Sequence, residues 1–227
     1  MPYSKLNNIL FIHIPKCAGK SFEVALNLTT KEEAFKYTWR SFLNKVSKYF
    51  LILTRDKKSK LRLWGVLDIS LTSQHLTYAE IELLDLLDRT ILDESIKVAI
   101  VRNPYDRAVS SYNHMNQNHK YKNFLDFAKN YYLETSKRHN DLAHKRSQID
   151  FLRNKNGELI VDNIIRFENL NNDFILFRDK FNIQCNSLPF ISNSSQRKHY
   201  SDYYCKESKT LIEAFFKEDI RIFDYKF

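Results

Sequence analysis

Twice along the chain a short unbroken apolar run gives way to a polar turn, and the turn to a stretch whose apolar positions return at helical spacing. In the first case Asn8-Ile9-Leu10-Phe11-Ile12-His13-Ile14 stops at Pro15, and Ser21-Phe22-Glu23-Val24-Ala25-Leu26 follows. In the second, Lys97-Val98-Ala99-Ile100-Val101 leads through Arg102-Asn103-Pro104 into a segment from Tyr105 to about Met115. β-Branched and aromatic runs of this length predict strands, and the periodic segments after them predict helices. Asn103 is a good N-cap, and Pro104 a good first helical residue because the amide that proline lacks would go unpaired there. A strand apolar at every position offers no face to water, so the pattern predicts a parallel sheet covered on both sides, the α/β class. In such sheets ligands bind beyond the carboxyl ends of the strands, where both turns lie.

The same reading predicts helices at Lys31–Lys48, Tyr78–Leu87, Phe124–Ser136, Phe174–Phe181 and Lys206–Phe216, with strands at Tyr49–Thr54 and Leu159–Arg166. No Gly/Ser/Pro-rich stretch, low-complexity tract or repeat interrupts residues 1–227, so they read as a single domain. A hydrophobic content of 43%, with 17 Phe and 13 Tyr, supports one sizeable core and excludes disorder. The three cysteines, Cys17, Cys185 and Cys205, are odd in number and far apart, which excludes a disulfide framework and a C-x-x-C knuckle and suits a reducing compartment. The first apolar run is too short for a signal peptide or a membrane span, so the expectation is a cytoplasmic protein without stable membrane insertion. Oligomeric state is not written in the sequence. The formal net charge of +9 suits an anionic cofactor, an anionic polymer or a membrane surface, and does not choose among them.

Pro15-Lys16-Cys17-Ala18-Gly19-Lys20-Ser21 makes the choice narrower. Between a strand and a helix, successive backbone N–H groups and the positive helix end converge on one point, a geometry that holds phosphate or sulfate. The backbone of Lys16, Cys17, Ala18, Gly19 and Lys20 would form the cradle, Gly19 allowing close approach, Ser21 adding a hydroxyl, and Lys16 and Lys20 adding charge. Gly19-Lys20-Ser21 also matches the end of the nucleotide-triphosphate loop G-x-x-x-x-G-K-[ST], but Ile14 stands where the first glycine belongs. No strand ends in an Asp of the kind that positions Mg²⁺ in such enzymes. No spacing of His, Cys and carboxylates suggests a metal site.

The second turn, Arg102-Asn103-Pro104-Tyr105-Asp106-Arg107-Ala108-Val109-Ser110-Ser111-Tyr112, puts an arginine at a strand end and a serine eight residues on. Arginine suits bidentate phosphate binding, and a hydroxyl can complete the site. On these two loops the sequence resembles the sulfotransferases that use 3′-phosphoadenosine 5′-phosphosulfate (PAPS), in particular the branch that modifies carbohydrates. The resemblance implies a P-loop-like three-layer fold, with a central parallel sheet flanked by helices. It also implies that Pro15 to Ser21 bind the 5′-phosphosulfate and that Arg102 and Ser110 bind the 3′-phosphate. It extends to Gln148-Ile149-Asp150-Phe151-Leu152, Ile165-Arg166-Phe167-Glu168-Asn169-Leu170 and Asp219-Ile220-Arg221-Ile222-Phe223-Asp224-Tyr225. Lys20 departs from the family pattern, which has a small hydroxyl residue there. Asn193-Ser194-Ser195-Gln196-Arg197-Lys198-His199-Tyr200 is similar to the family segment that folds over the nucleotide, so Arg197, with Lys198 behind it, is the candidate second contact to the 3′-phosphate.

Sulfuryl transfer is an in-line displacement in which positioning and charge stabilisation supply most of the catalysis, and the acceptor hydroxyl must give up a proton as it attacks. His75, in Thr72-Ser73-Gln74-His75-Leu76-Thr77-Tyr78, is the candidate base, since this segment resembles the histidine-bearing stretch of uronosyl-type carbohydrate sulfotransferases. Lys16 would stabilise charge on the leaving group. His13, in a strand, and His114, late in a helix, read as packing or polar-network residues. His119, His139, His144 and His199, in polar stretches, read as solvated. Glu168 reads as a carboxylate at a helix start, and Gln148 as either reaching the acceptor or lying at the surface. The implied acceptor is a glycan hydroxyl, with no nucleic acid partner. Two other classes stay open: a P-loop kinase or NTPase with a degenerate loop, and a non-catalytic polyanion-binding module, although aromatics and lysines do not interleave as a nucleic-acid stacking platform would require.

Overall fold

The computed structural model describes residues 3–28, 75–83, 87–116, 119–134, 139–185, 187–189 and 198–227. The predicted helix at 31–48 and strand at 49–54 lie outside these. Within them the sheet runs in the order β1 (Tyr3–Ser4), β2 (Ile9–Ile12), β3 (Ile96–Val101), β4 (Asn163–Arg166). β2, β3 and β4 are parallel, with Ile12 opposite Ala99 and Val101 opposite Arg166, while β1 pairs antiparallel to β2 at the edge. All four side chains of β2 are buried, as are all those of β3 after Ile96, which is the outcome expected of strands without a polar face.

Each of the two central strands feeds a helix: β2 leads to α1 (Gly19–Ala25), and β3 leads to α4 (Pro104–Met115), after α2 (Tyr78–Leu83) and α3 (Arg89–Glu94). The start of α4 follows from its sequence. Pro104 occupies the first turn, and the Asn103 side chain accepts from the Tyr105 amide (3.1 Å). Further on come α5 (Phe124–Tyr131), α6 (His139–Lys145), α7 (Gln148–Phe151), α8 (Leu170–Lys180), α9 (Lys206–Phe215) and α10 (Lys217–Ile222). One apolar cluster joins β2 and β3 to Phe22 of α1 and to Phe174 and Phe177 of α8. A second, rich in rings, joins Tyr105 and Val109 of α4 to Phe127 of α5 and to Ile212 and Phe216 at α9.

Several boundaries differ from the sequence expectation. The strand at 159–166 is shorter because Arg153 and Leu159 bridge across a turn whose Gly157 has φ of 86°, so regular pairing begins only at Asn163. α8 begins four residues earlier than expected, continuing from the 3₁₀ turn Phe167–Asn169. Helices α3, α6, α7 and α10 were not foreseen, whereas α9 ends where the sequence predicted; Asp219 of α10 is fully buried. No helix among the described residues is long and apolar enough to cross a membrane.

Candidate active site

The turn after β2 alternates residues of positive and negative φ. Lys16 (φ 68°) and Ala18 (φ 61°) are left-handed although neither is glycine, and Ala18 caps α1 without a side-chain bond. Alternation of this kind aims consecutive N–H groups inward as an anion-binding nest, and the first amides of α1 have no intrahelical partners. The Ser21 N–H reaches the Ala18 carbonyl (3.0 Å). Lys20 is exposed, and Lys16 and Ser21 are half-buried.

Gly19 is required for a reason the sequence did not show. A Cβ there would run into the imidazole of His13. That ring is buried and held in place by Glu23, whose carboxylate accepts from Nδ1 at 2.8 Å. His13 thus supports the cradle from beneath, as a polar-network residue inside the core.

Cys17 points away from the cradle. Its thiol lies 3.5 Å from the Pro15 carbonyl and 3.4 Å from Gln148 Oε1, and burial pushes its pKa up to about 12, against the opposing pull of Arg107 and Arg102. Any contact of Cys17 with a bound anion is therefore through its backbone.

The turn after β3 is joined directly to this one. Arg102 is buried, and its guanidinium stacks on Phe167 with 3.8 Å to the ring centroid. Its Nε and Nη2 donate to Asp106 (2.8 and 2.7 Å), and Nη1 donates to the carbonyl of Lys16 (2.9 Å). Gln148 makes a second connection: its Oε1 accepts from the Arg102 amide (2.9 Å), and its Nε2 donates to the Arg102 carbonyl (2.8 Å). This side chain is fully buried, so neither expectation for Gln148, surface or acceptor contact, holds. Asp219 fixes the helix that carries it, accepting from the amides of Gln148 (2.8 Å) and Ile149 (2.9 Å) and from the Ser147 hydroxyl (2.5 Å).

Arg107 completes the underside. It is 1% exposed, and its guanidinium donates to the carbonyls of Pro15 (3.2 Å), Arg146 (3.0 Å) and His144 (3.5 Å). Asp106, Ser110 and His114 follow at four-residue intervals and so share one face of α4. At the start of that face Asp106 holds Arg102, and at its far end His114 feels the charges of Lys16 and Lys20. Ser110, half-buried, lies between them.

His75 sits against the end of β2, its Nδ1 3.1 Å from the His13 carbonyl and its ring edge-on to that of His13 at 4.6 Å. A carbonyl only accepts, so Nδ1 carries the proton and Nε2 is the basic nitrogen. Rings continue from His75 to His144 (5.8 Å, edge-on) and from His144 to His114 (5.7 Å, stacked). The expectation that His144 is solvated is corrected here: it is 4% exposed, because Arg107 draws the end of α6 down onto the loop. His144 is held well below the usual histidine pKa, first by burial and then by the positive charges around it, and His114 is lowered by partial burial of its ring and by Lys16 and Lys20. No group of three or more His, Cys, Asp or Glu side chains among the described residues is arranged to hold a metal.

Glu168 accepts from the Asn103 amide (2.5 Å) and the Tyr225 hydroxyl (3.1 Å), clamping the end of β4 to the end of β3. Of the segment expected to fold over a nucleotide, Arg197 lies outside the described residues. Lys198 is exposed and precedes the 3₁₀ turn Tyr200–Tyr203, which is followed by Tyr204, whose hydroxyl donates to the Tyr105 carbonyl at the start of α4 (2.8 Å).

Against known proteins, a model of the family described as "Sulfotransferase family" matches residues 3–226. No curated protein and no solved structure matches the chain.

Proposed function

The chain belongs to the sulfotransferase family, and from that premise we propose that it moves a sulfuryl group from PAPS to an acceptor hydroxyl, that of a sugar. The observation that supports this reading is the joining of two oxyanion cradles at neighbouring strand ends by Arg102 Nη1 on the Lys16 carbonyl (2.9 Å) and by Gln148 between them. Adjacent parallel strands are about 5 Å apart, so one nucleotide can reach both. The turn of Lys16, Cys17, Ala18, Gly19, Lys20 and Ser21 takes the 5′-phosphosulfate. Arg102, shared with Asp106, and Ser110 on α4 take the 3′-phosphate, with Arg197 and Lys198 closing over it.

The acceptor oxygen forms a bond to sulfur while the bond from sulfur to the nucleotide's phosphate oxygen breaks. The hydroxyl proton passes to His75 Nε2, and adenosine 3′,5′-bisphosphate leaves. Lys16 offsets the charge that gathers on the departing oxygen, and the loop amides hold the sulfuryl oxygens. None of these steps calls for a metal ion.

Calorimetric titration with adenosine 3′,5′-bisphosphate tests the reading. Saturable binding without Mg²⁺, weakened in Arg102→Ala, is expected, together with transfer of labelled sulfate that falls about 10²- to 10⁴-fold in His75→Ala. Mg²⁺-dependent ATP binding that outcompetes the bisphosphate would overturn it.

A further inference from the structure

The mechanism above uses one histidine of the row and leaves another unexplained. His144 is 4% exposed, and its Nδ1 has no hydrogen-bond partner among the described residues. A buried polar nitrogen left without a partner is costly, on the order of 1–3 kcal/mol, and is rare unless something completes it. Neighbouring groups are already paired: the His144 and Arg146 carbonyls accept from Arg107, and the Lys145 Nζ donates to the Glu134 carbonyl (2.5 Å). Arg107 grips the Pro15 carbonyl as well, so the group that fixes His144 also fixes the phosphosulfate turn.

The ring lies next to the proposed base. It stands between His75, the proposed base, and His114, on the α4 face that also carries Ser110, and it feels the charge of Lys16. Burial, together with Lys16, Arg107 and the two neighbouring histidines, keeps the imidazole uncharged. A neutral imidazole beside the base can hydrogen-bond a hydroxyl without competing with the anion for the loop's positive charge.

We propose that His144 is a substrate-contacting residue whose Nδ1 hydrogen-bonds the acceptor beside His75, so that two histidines from distant parts of the chain orient the attacking hydroxyl. This rests on the sulfotransferase reading, and it adds a binding role that the loop motifs do not contain.

The test compares His144→Leu with His144→Asn, because the asparagine amide places a polar atom close to the position of Nδ1. Desulfated chondroitin serves as the acceptor. Water serves as a second one, read as slow release of free sulfate from PAPS. His144→Leu is expected to keep the wild-type affinity for adenosine 3′,5′-bisphosphate and to lose about 10- to 100-fold in kcat/KM for the acceptor. His144→Asn is expected to recover most of that loss. A folded leucine variant with unchanged kcat/KM would show that His144 only packs. Loss of bisphosphate affinity in both variants would show that it only supports the loop. Either result overturns the inference and leaves the sulfotransferase reading standing. A wild-type protein that neither binds the bisphosphate nor transfers sulfate removes both.

Discussion

Gln148→Leu breaks the link between the two cradles while nearly preserving side-chain volume. In the wild type the amide bonds both backbone polar groups of Arg102, at 2.9 and 2.8 Å, inside a site where Gln148 is 0% and Arg102 4% exposed. Water cannot replace those bonds without opening the strand end. Each unsatisfied group costs about 1–3 kcal/mol, and the apolar leucine returns part of that sum, so a net loss of about 2–4 kcal/mol is expected. In a chain of this size that lowers the melting temperature by roughly 4–16 °C. Because Arg102 also reaches the Lys16 carbonyl, the folded variant should bind adenosine 3′,5′-bisphosphate at least about tenfold more weakly, equivalent to about 1.4 kcal/mol transmitted from the strand end to the loop. Gln148→Glu, which keeps an acceptor for the Arg102 amide but not the donor for its carbonyl, should also be destabilised. Urea unfolding and calorimetric titration read both quantities. A leucine variant within about 0.5 kcal/mol of the wild type, with unchanged affinity, would refute the idea that Gln148 couples the loops.

Three further outcomes follow from neighbouring contacts. Gly19→Ala should displace His13, costing about 1–3 kcal/mol in urea unfolding and weakening bisphosphate binding, and His13→Ala in the same chain should restore part of that affinity in calorimetric titration. Cys17, with its thiol raised to about 12 by burial, should resist iodoacetamide at pH 8, whereas Cys205, exposed and lowered by its bonds to Ser208, should react first in mass-spectrometric mapping. The sign for Cys17 is that above its unfolded value near 9 the unfolded chain loses the proton first, so this group's stabilisation declines as pH rises towards 12. Asp219→Ala removes the acceptor of three bonds at the start of α7 and should cost on the order of 3–5 kcal/mol in urea unfolding.

The strand-turn-helix units were legible because their signals are local: apolar runs without a polar face, a proline that ends one strand, and an Asn-Pro pair that begins α4. The turn from Pro15 to Ser21 was legible for the same reason, since the residues that shape it lie within seven positions. What escaped was set by partners distant in sequence. His144 lies in a stretch of charged residues and is buried only because Arg107, 37 positions earlier, bonds its carbonyl. Gln148 has no local feature that separates a surface amide from one enclosed by the strand end. The helix after Phe216 turns Asp219 inward to α7, and a carboxylate in a polar-looking segment gives no sign of that in the sequence.

Arg107 has a consequence for anyone who would move this loop elsewhere. Its single guanidinium holds carbonyls from residue 15 and from residues 144 and 146, so the support beneath the turn is assembled from segments separated by more than half the polypeptide. Transplanting Pro15 to Ser21 onto a foreign strand-helix junction would carry the amides and leave their foundation behind. The smallest transferable unit is the heptapeptide together with the arginine and the stretch from His144 to Gln148 beneath it.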